Sequence, residues 1–180
     1  MSLVLFMGRV YCQNRTEPRK TGRLNFHPLS LTRMQIIEPK SPAEFDKYYN
    51  LRYEVLRKPW NQPLGSERDE GDDTSLHRMI LDEPNGKMIA VGRLQFNTNK
   101  QAQIRYMAVA DGYQGKGYGR KIVGALEDIA REKGIRTIIL QSRENAVKFY
   151  ERNGYKIIEK SYLLFDKIQH WLMVKKITTD

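Results

Sequence analysis

The apolar residues of one segment return with the period of an α-helix, and the segment ends at Gly134. Charged residues occupy its opposite side, so the segment predicts an amphipathic helix with one face turned towards a core. Glycine often follows the last turn of a helix, which supports an end at Gly134. The predicted buried face consists of Ile122, Val123, Leu126, Ile129 and Ala130.

Short runs rich in apolar and β-branched residues predict strands on both sides of this helix. Residues 103–109 precede the helix and residues 136–141 follow it. Two earlier runs predict a hairpin, because residues 83–86 between them have the composition of a turn. The hairpin comprises residues 76–81 and 88–96, and the remaining predicted strands are residues 34–37, 155–158 and 170–177.

Two further helices and one long loop complete the predicted order of elements. Pro42–Leu56 predicts a first helix with Ser41 as its N-cap. Residues 57–75 hold several prolines and glycines and therefore predict a loop. Residues 145–154 predict a short helix that ends at Gly154. The order β-α-loop-β-β-β-α-β-α-β-β predicts an α/β (α+β) domain.

Residues 114–120 form a glycine-rich turn between the strand 103–109 and the amphipathic helix. Glycines at alternate positions let the backbone turn tightly and approach a ligand closely. The N–H groups at the start of the following helix are free to bind an anion, and the helix dipole favours negative charge there. Lys116, Arg120 and Lys121 add positive charge at the same place. This combination predicts a site for phosphate groups.

The spacing within this turn excludes two common nucleotide-binding motifs. A Walker A loop requires lysine after its second glycine, but Tyr118 follows Gly117. The dinucleotide motif G-x-G-x-x-G also fails, because Arg120 and Ile122 stand where its third glycine is needed. The pattern that fits is Q-x-x-G-x-G, formed by Gln114, Gly117 and Gly119.

This pattern resembles the acetyl-CoA pyrophosphate loop of the GNAT superfamily of N-acyltransferases. A second segment resembles the family's later signature, in which A-x-x-x-Y is followed by a short spacer and G-[FY]. Ala146, Tyr150, Gly154 and Tyr155 match it in the expected order. The resemblance implies the GNAT fold, a mixed and strongly twisted sheet of about six to seven strands with helices on both faces.

The resemblance also implies a reaction and a binding mode. Family members transfer an acetyl group from acetyl-CoA directly to an amine, without an acyl-enzyme. Strand residues Met107, Ala108 and Val109 would pair with the pantetheine arm, and an N–H near Val109 would polarise the thioester carbonyl. The pyrophosphate would be held by the backbone of Gln114, Gly115, Lys116, Gly117, Tyr118, Gly119 and Arg120.

Tyr150 stands at the family position that places a hydroxyl beside the sulfur of CoA, which implies a general acid for the departing thiolate. The alternative is a packing tyrosine beside Phe149. Family members often have asparagine seven residues before this tyrosine, but here that position is Arg143 and the nearest asparagine is Asn145. We therefore expect Asn145 to contact the cofactor, with a contact from Arg143 to its phosphates as the alternative.

The general base is the least determined part of the site. His77 has a pKa range suited to the role, although a structural histidine is the alternative. The acidic run 67–73 would attract a cationic amine if it overhung the acceptor cleft, and would otherwise be a solvated loop. Glu54 is a weaker candidate, and His170 and Trp171 are expected only to pack beside the closing strand.

Charge and composition limit the remaining possibilities. The formal net charge is +10, and half of it lies in residues 1–33, which predict a disordered or non-native extension before a single domain at residues 34–180. A transit peptide and an arm that binds nucleic acid are the alternatives for this extension. The apolar start of the chain is too short for a signal peptide. The single cysteine, Cys12, excludes an internal disulfide, and no apolar run is long enough to span a membrane. We expect a cytoplasmic location and no metal site.

The predicted function is acetyl-CoA-dependent N-acetylation of a primary amine, with a small-molecule acceptor preferred to a protein. One alternative is a GNAT-fold sensor or scaffold that binds acyl-CoA without catalysing transfer. Another is a nucleic-acid-binding module, which the net charge and ten tyrosines allow but which the modest charge of residues 34–180 makes a weaker hypothesis. A homodimer is also compatible with the sequence.

Overall fold

The computed structural model describes residues 34–82 and 86–178, which contain a mixed seven-stranded sheet with the strand order β1-β2-β3-β4-β5-β7-β6. Neighbouring strands are antiparallel except for β4 and β5, which are parallel. The predicted extension 1–33, with Cys12, and most of the predicted hairpin turn lie outside the described residues. The strands are β1 Met34–Ile37, β2 Leu76–Asp82, β3 Lys87–Phe96, β4 Gln101–Val109, β5 Thr137–Arg143, β6 Lys156–Leu164 and β7 Ile168–Lys176.

Three α-helices connect these strands, namely α1 Pro42–Leu56, α2 Tyr118–Glu132 and α3 Val147–Arg152. Ser41 caps α1 as predicted, and Glu44 completes a capping box by accepting the N–H of Ser41. The element order confirms the predicted fold. The structure adds single 3-10 turns at Lys58–Trp60 and Glu144–Ala146. It also extends β6 well beyond residues 155–158, because pairing with β7 holds an exposed edge strand that has little apolar periodicity.

The two faces of the sheet each have their own hydrophobic core. The face beneath α2 buries the predicted helix residues, including Ile122 and Leu126, against alternate strand residues such as Ile80. The face beneath α1 buries Tyr48 against the strand residues that point the other way, such as Met79. Because successive side chains of a strand point to opposite faces, one strand supplies both cores. The helices therefore flank the sheet on both sides.

A β-bulge interrupts β4 near its middle. Val91 of β3 pairs with Ala108, but Arg93, two residues further along β3, pairs with Arg105, so β4 has one extra residue. Tyr106 lies in the bulge with a φ of 52°, an uncommon conformation for a residue with a side chain. Gly92 faces the bulge from β3, and a Cβ there would lie 2.6 Å from the side chain of Ile122. The close packing of α2 against this point therefore requires glycine.

Beyond the bulge, β4 and β5 separate. Their parallel pairing runs only from Gln101 and Thr137 to Ile104 and Leu140. The later part of β5 stays paired with β7, whereas the later part of β4 stays paired with β3. A gap therefore opens between the two central strands, and residues 105–109 border it with backbone groups that β5 does not pair.

A buried ionic network holds the bulge in place from the α1 side. The guanidinium groups of Arg52 and Arg93, both fully buried, each lie 2.7 Å from a carboxylate oxygen of Asp72. Arg93 also pairs with Asp69, whose second oxygen accepts a hydrogen bond of 2.9 Å from the hydroxyl of Tyr106. The guanidinium of Arg52 stacks 3.6 Å from the centre of the Tyr106 ring. The network thus joins α1, the loop before β2, β3 and the bulge.

This network corrects both interpretations of the acidic run 67–73. Asp69 and Asp72 are neither a solvated pair nor a free patch for a cationic amine, because buried arginines neutralise them. Burial alone would raise the pKa of Asp72, but its hydrogen bonds and ion pair with Arg52 hold that pKa below its ordinary value. Glu67 is also buried and accepts the N–H of Gly65 at 2.7 Å. Of the carboxylates in the run 67–73, only those of Glu70 and Asp73 are exposed.

We expect Asp72→Asn to destabilise the fold by about 3 kcal/mol at neutral pH, because two buried guanidinium groups would lose their shared carboxylate. Because the folded pKa of Asp72 is lowered, its contribution to stability is present above the unfolded pKa and is lost as the pH falls through the folded pKa. Urea unfolding measures both effects. Asp73→Asn removes a neighbouring exposed carboxylate and serves as the control; an equal loss in both variants would contradict the assignment.

Candidate functional site

Two adjoining cavities occupy the gap between β4 and β5. The loop cavity, about 510 Å³, lies between residues 107–109, the glycine turn and α3. The arginine cavity, about 380 Å³, lies further towards the paired part of the strands and contains Arg57, Arg105 and Arg143. Five residues line both cavities and therefore mark their junction, namely Leu56, Met107, Arg143, Ala146 and Tyr150.

The glycine turn presents the uncapped start of α2 to the loop cavity. Gly115 and Gly117 have φ values of 74° and 86°, which residues with a side chain rarely adopt. Gly117 is the N-cap of α2 and supplies no side-chain hydrogen bond to the first turn. The N–H groups of that turn are therefore left for a ligand, and the helix dipole favours an anionic one.

Two further residues fix the position of this turn. The side-chain amide of Gln114 donates to the carbonyl of Val109 at 3.3 Å and to Asp111 at 3.2 Å, so it ties the turn to the end of β4. Gly119 serves packing instead, because a Cβ there would lie 3.2 Å from the ring of Phe149. Helix α3 can therefore approach the start of α2 closely. These features suit the pyrophosphate of a CoA-type ligand.

Most of the residues predicted to bind the cofactor meet around the loop cavity. Lys116 and Tyr118 do not line it, and both lie beside the ring of Tyr113 instead, with the ammonium of Lys116 at 5.5 Å and the ring of Tyr118 at 5.9 Å. The predicted residues that line this cavity are Met107, Ala108, Val109, Gln114, Gly115, Gly117, Gly119, Arg120, Asn145 and Tyr150.

The direction of one backbone N–H follows from the pairing of β4. The N–H of Ala110 donates to the carbonyl of Ile89 in β3 at 2.8 Å. Neighbouring peptide groups of a strand point in opposite directions, so the N–H of Val109 points away from β3. It therefore points towards the gap, where β5 supplies no partner.

Tyr150 lies at the junction of the two cavities, on the short helix α3. It is buried and packs against the rings of Phe149 and Tyr155 at 4.9 and 5.7 Å. Burial raises the pKa of Tyr150 well above its ordinary value, while the positive charge of Arg143 acts in the opposite direction. The phenol therefore keeps its proton at neutral pH and can donate it.

His77 lies beneath α1 and lines neither cavity. Its Nε2 is 2.9 Å from the carbonyl of Asp72, which can only accept, so Nε2 carries the proton. Its Nδ1 is 3.1 Å from the hydroxyl of Tyr48 and accepts from it. With both nitrogens engaged and only 4% of its surface exposed, His77 has no free nitrogen to receive a substrate proton.

His170 has the opposite arrangement and lines the arginine cavity. Its Nδ1 lies 2.9 Å from the carbonyl of Ile168 and therefore carries the proton. No hydrogen bond to its Nε2 is found within the described part of the chain. Burial, together with the positive charges of Arg143 and Arg57, lowers the pKa of His170. The imidazole is therefore neutral at pH 7, with a nitrogen free to accept a proton.

Sequence reasoning gave Arg57 no role and expected His170 only to pack. Arg57, Arg143 and His170 are far apart in the chain, and their proximity depends on tertiary structure. Arg143 and His170 are direct partners in the antiparallel pairing of β5 with β7. The guanidinium of Arg143 donates to the carbonyl of Leu56 at 2.9 Å, which brings the end of α1 to the same place. No motif spacing could have signalled this cluster.

The described residues contain neither a candidate metal site nor a helix that could span a membrane. Among residues 34–82 and 86–178, no group of three or more histidine, cysteine, aspartate or glutamate side chains has an arrangement that could hold a metal ion. In the same residues, every helix is too short or too polar to cross a membrane.

Comparisons with known proteins agree with this geometry. The chain is 28% identical over 142 residues to the Uncharacterized N-acetyltransferase YjcF of Bacillus subtilis (strain 168), covering 79% of this chain and 99% of that protein. The fold of the present chain is similar to that of the ribosomal-protein-S18-alanine N-acetyltransferase from Escherichia coli, with a TM-score of 0.63 and 21% identity. The match covers 82% of this chain and 96% of that chain.

A second solved structure with this fold is an aminoglycoside 6'-N-acetyltransferase complexed with coenzyme A. Its TM-score is 0.67 at 17% identity, and the match covers 81% of this chain and 98% of that chain. Residues 45–155 of the present chain match the family model described as Acetyltransferase (GNAT) family. Because this match covers more than half of the chain, the protein belongs to the GNAT family and is an acetyltransferase.

Proposed function

We propose that the protein transfers the acetyl group of acetyl-CoA directly to a primary amine of a small molecule. The observation that carries this proposal is the gap between β4 and β5, which joins an uncapped helix start to a second cavity through the hydroxyl-bearing Tyr150. The second cavity, at about 380 Å³, has the size of a small-molecule site.

The residues around the loop cavity would hold the co-substrate. The backbone N–H groups of the glycine turn bind its pyrophosphate, and Arg120 adds positive charge beside them. The unpaired edge of β4 at residues 107–109 binds the pantetheine arm. Asn145 also lines this cavity and contacts the same arm. When bound, acetyl-CoA supplies the acetyl group and a thiolate as the leaving group.

The N–H of Val109 would stabilise the charge that develops on the thioester oxygen. It points into the gap and needs no rearrangement to do so, which is the condition under which a hydrogen-bond donor favours a transition state most. Tyr150 donates the proton of its Oη to the departing sulfur. Burial keeps this phenol protonated until a thiolate forms beside it.

We assign the role of base to His170 rather than to His77. Nε2 of His170 has no hydrogen-bond partner among the described residues, and the residue lines the arginine cavity, so this nitrogen can take the proton that the attacking amine loses. His77 instead joins the loop before β2 to α1 through its two hydrogen bonds. In sum, the amine nitrogen bonds to the acetyl carbon and the C–S bond breaks. The amine gives one proton to His170 and Tyr150 gives one to the sulfur; exchange with solvent then removes the proton from His170 and returns one to Tyr150.

Gly117→Ala is expected to weaken CoA binding about tenfold. A residue with a side chain strains the left-handed conformation by roughly 1–2 kcal/mol, and the turn relieves this strain by leaving the anion-binding arrangement. Isothermal titration calorimetry with CoA measures the change. Gly124→Ala is the control, because a Cβ at this α2 position meets no atom within 4 Å and needs no unusual φ. Equal affinities of the two variants for CoA would show that the glycine turn does not bind CoA.

Tyr150→Phe is expected to lower kcat about a hundredfold, with little change in the KM for acetyl-CoA, because only the proton donor is lost. Release of free CoA thiol from acetyl-CoA with a panel of primary amines measures kcat. Tyr155→Phe removes a hydroxyl from a neighbouring buried tyrosine that lines neither cavity, and should retain activity. If the wild-type protein binds CoA but releases no thiol with any amine, the sensor hypothesis is favoured.

His170→Gln is expected to lower kcat/KM about a hundredfold and to abolish the acidic limb of its pH profile. Because the pKa of His170 is lowered, wild-type activity should be retained down to pH values below about 6.5 and then fall as the ring is protonated. His77→Gln should lose stability but keep the acidic limb. An unchanged limb in His170→Gln would show that another group accepts the proton.

A further inference from the structure

The arginine cavity contains positive charge that no carboxylate of the described residues neutralises. Arg57 Nε donates to the carbonyl of Ser66 at 2.8 Å and its Nη1 to that of Leu56 at 3.2 Å. Arg143 donates to the carbonyl of Leu56 as well, at 2.9 Å. Within residues 34–82 and 86–178, neither guanidinium takes part in a salt bridge. Both are thus hydrogen-bonded only to neutral acceptors.

The other cation of this cavity differs from these two. Arg105 lies 3.6 Å from Asp69, which already pairs with Arg93 and accepts from Tyr106. Part of its charge is therefore balanced. Among the described residues that line the cavity there is no aspartate or glutamate, and the uncharged polar side chains are those of Gln103, Tyr106, Gln141, Ser142, Tyr150, Tyr162 and His170.

Two like charges in one partly buried cavity are unfavourable unless a ligand balances them. Burial and the positive charge of Arg57 both lower the pKa of Arg143, because the two guanidinium groups repel each other. No carboxylate of the described residues pairs with either group, and Asp69 and Asp72 pair with Arg52 and Arg93 instead. The cavity is thus prepared for an anion from outside.

We propose that the acceptor amine carries an anionic group, a carboxylate or a phosphate, that Arg57 and Arg143 bind in the arginine cavity. This inference rests on the proposed acetyl transfer and specifies the substrate class of that site. Guanidinium groups bind carboxylates and phosphates through paired hydrogen bonds. Arg143 also borders the junction with Tyr150, so an anion there places a nearby amine between Tyr150 and His170.

This substrate class is the reverse of the one that the acidic run 67–73 suggests in the sequence. An acidic patch at the cleft would select a polycation such as a polyamine. In the folded chain, Asp69 and Asp72 of this run pair with buried arginines instead, and the cavity keeps positive charge. A polycationic acceptor would meet like charge there and would be disfavoured.

Four acceptors that share a primary amine on a two-carbon chain test the proposal. They end in phosphate, carboxylate, hydroxyl and ammonium, and are 2-aminoethyl phosphate, β-alanine, ethanolamine and ethylenediamine. With saturating acetyl-CoA, thiol release should give a kcat/KM about ten- to a hundredfold higher for an anionic acceptor than for ethanolamine, and lowest for ethylenediamine. The ratio of the first two acceptors distinguishes phosphate from carboxylate. Equal values across the series, or a preference for ethylenediamine, would overturn the proposal.

Substitutions identify the residues responsible. Arg57→Gln and Arg143→Gln should each lower the ratio of kcat/KM for the preferred anionic acceptor to kcat/KM for ethanolamine about tenfold, mainly through the KM of the anionic acceptor. Retained turnover of ethanolamine shows that a variant is folded. Lysine at either position should restore part of the preference. Arg131→Gln is the matched control, since this arginine lies on α2 and pairs with Asp128 at 2.6 Å. An equal loss for all four acceptors would contradict anion binding.

A binding measurement separates this inference from the transferase function. Inorganic phosphate and acetate are titrated into CoA-saturated protein, and tryptophan fluorescence is followed because the guanidinium of Arg143 lies 5.9 Å from the Trp60 ring. Binding of either anion by the wild type, and its loss in Arg143→Gln, supports the inference. No binding, or equal binding by both proteins, overturns it. Anion binding without thiol release from any acceptor would count against the proposed transferase function alone.

Discussion

The separation of β4 from β5 is the constraint on which the rest of the molecule depends. Two parallel strands that begin as partners cannot part without a local change of backbone, and the bulge at Tyr106 supplies it. The positive φ of Tyr106 is held by contacts from two other elements, namely the stacked Arg52 of α1 and the carboxylate of Asp69. Strain of this kind persists only where the surroundings fix it. The buried network therefore serves the site although it lies outside the loop cavity.

The distribution of charge follows from the same network. Two aspartates of the loop before β2 neutralise two arginines that carry no exposed surface, which satisfies groups that would otherwise destabilise the core. The same choice leaves Arg57 and Arg143 without a carboxylate partner in the described chain. The charges of the buried network are thus balanced, while Arg57 and Arg143 leave the arginine cavity with positive charge. Such a division favours an anionic ligand at the cavity and stability in the core.

The hydrogen bonds of the two buried histidines differ, and this difference supports the proposed assignment of the base. Both have a lowered pKa and both are neutral at pH 7, so neither pKa nor burial distinguishes them. The difference lies in which nitrogens are engaged, because His77 uses both and His170 uses one among the described contacts. Tyr150 complements the free nitrogen, since burial keeps its proton in place. A neutral acceptor and a neutral donor of protons thus both line the arginine cavity.

The sequence by itself determined the element order, the amphipathic face of α2, the cap of α1 and the glycine turn, because these depend on spacing between residues that are close in the chain. The same holds for the family resemblance and for those residues of the loop cavity that belong to one strand–turn–helix unit. Only the tertiary structure decided which carboxylates are neutralised, where β4 bulges, and that Arg57, Arg143 and His170 meet. These outcomes depend on pairing between distant segments. Local periodicity does not indicate such pairing, because the type of a residue does not show whether a side chain from a distant segment contacts it.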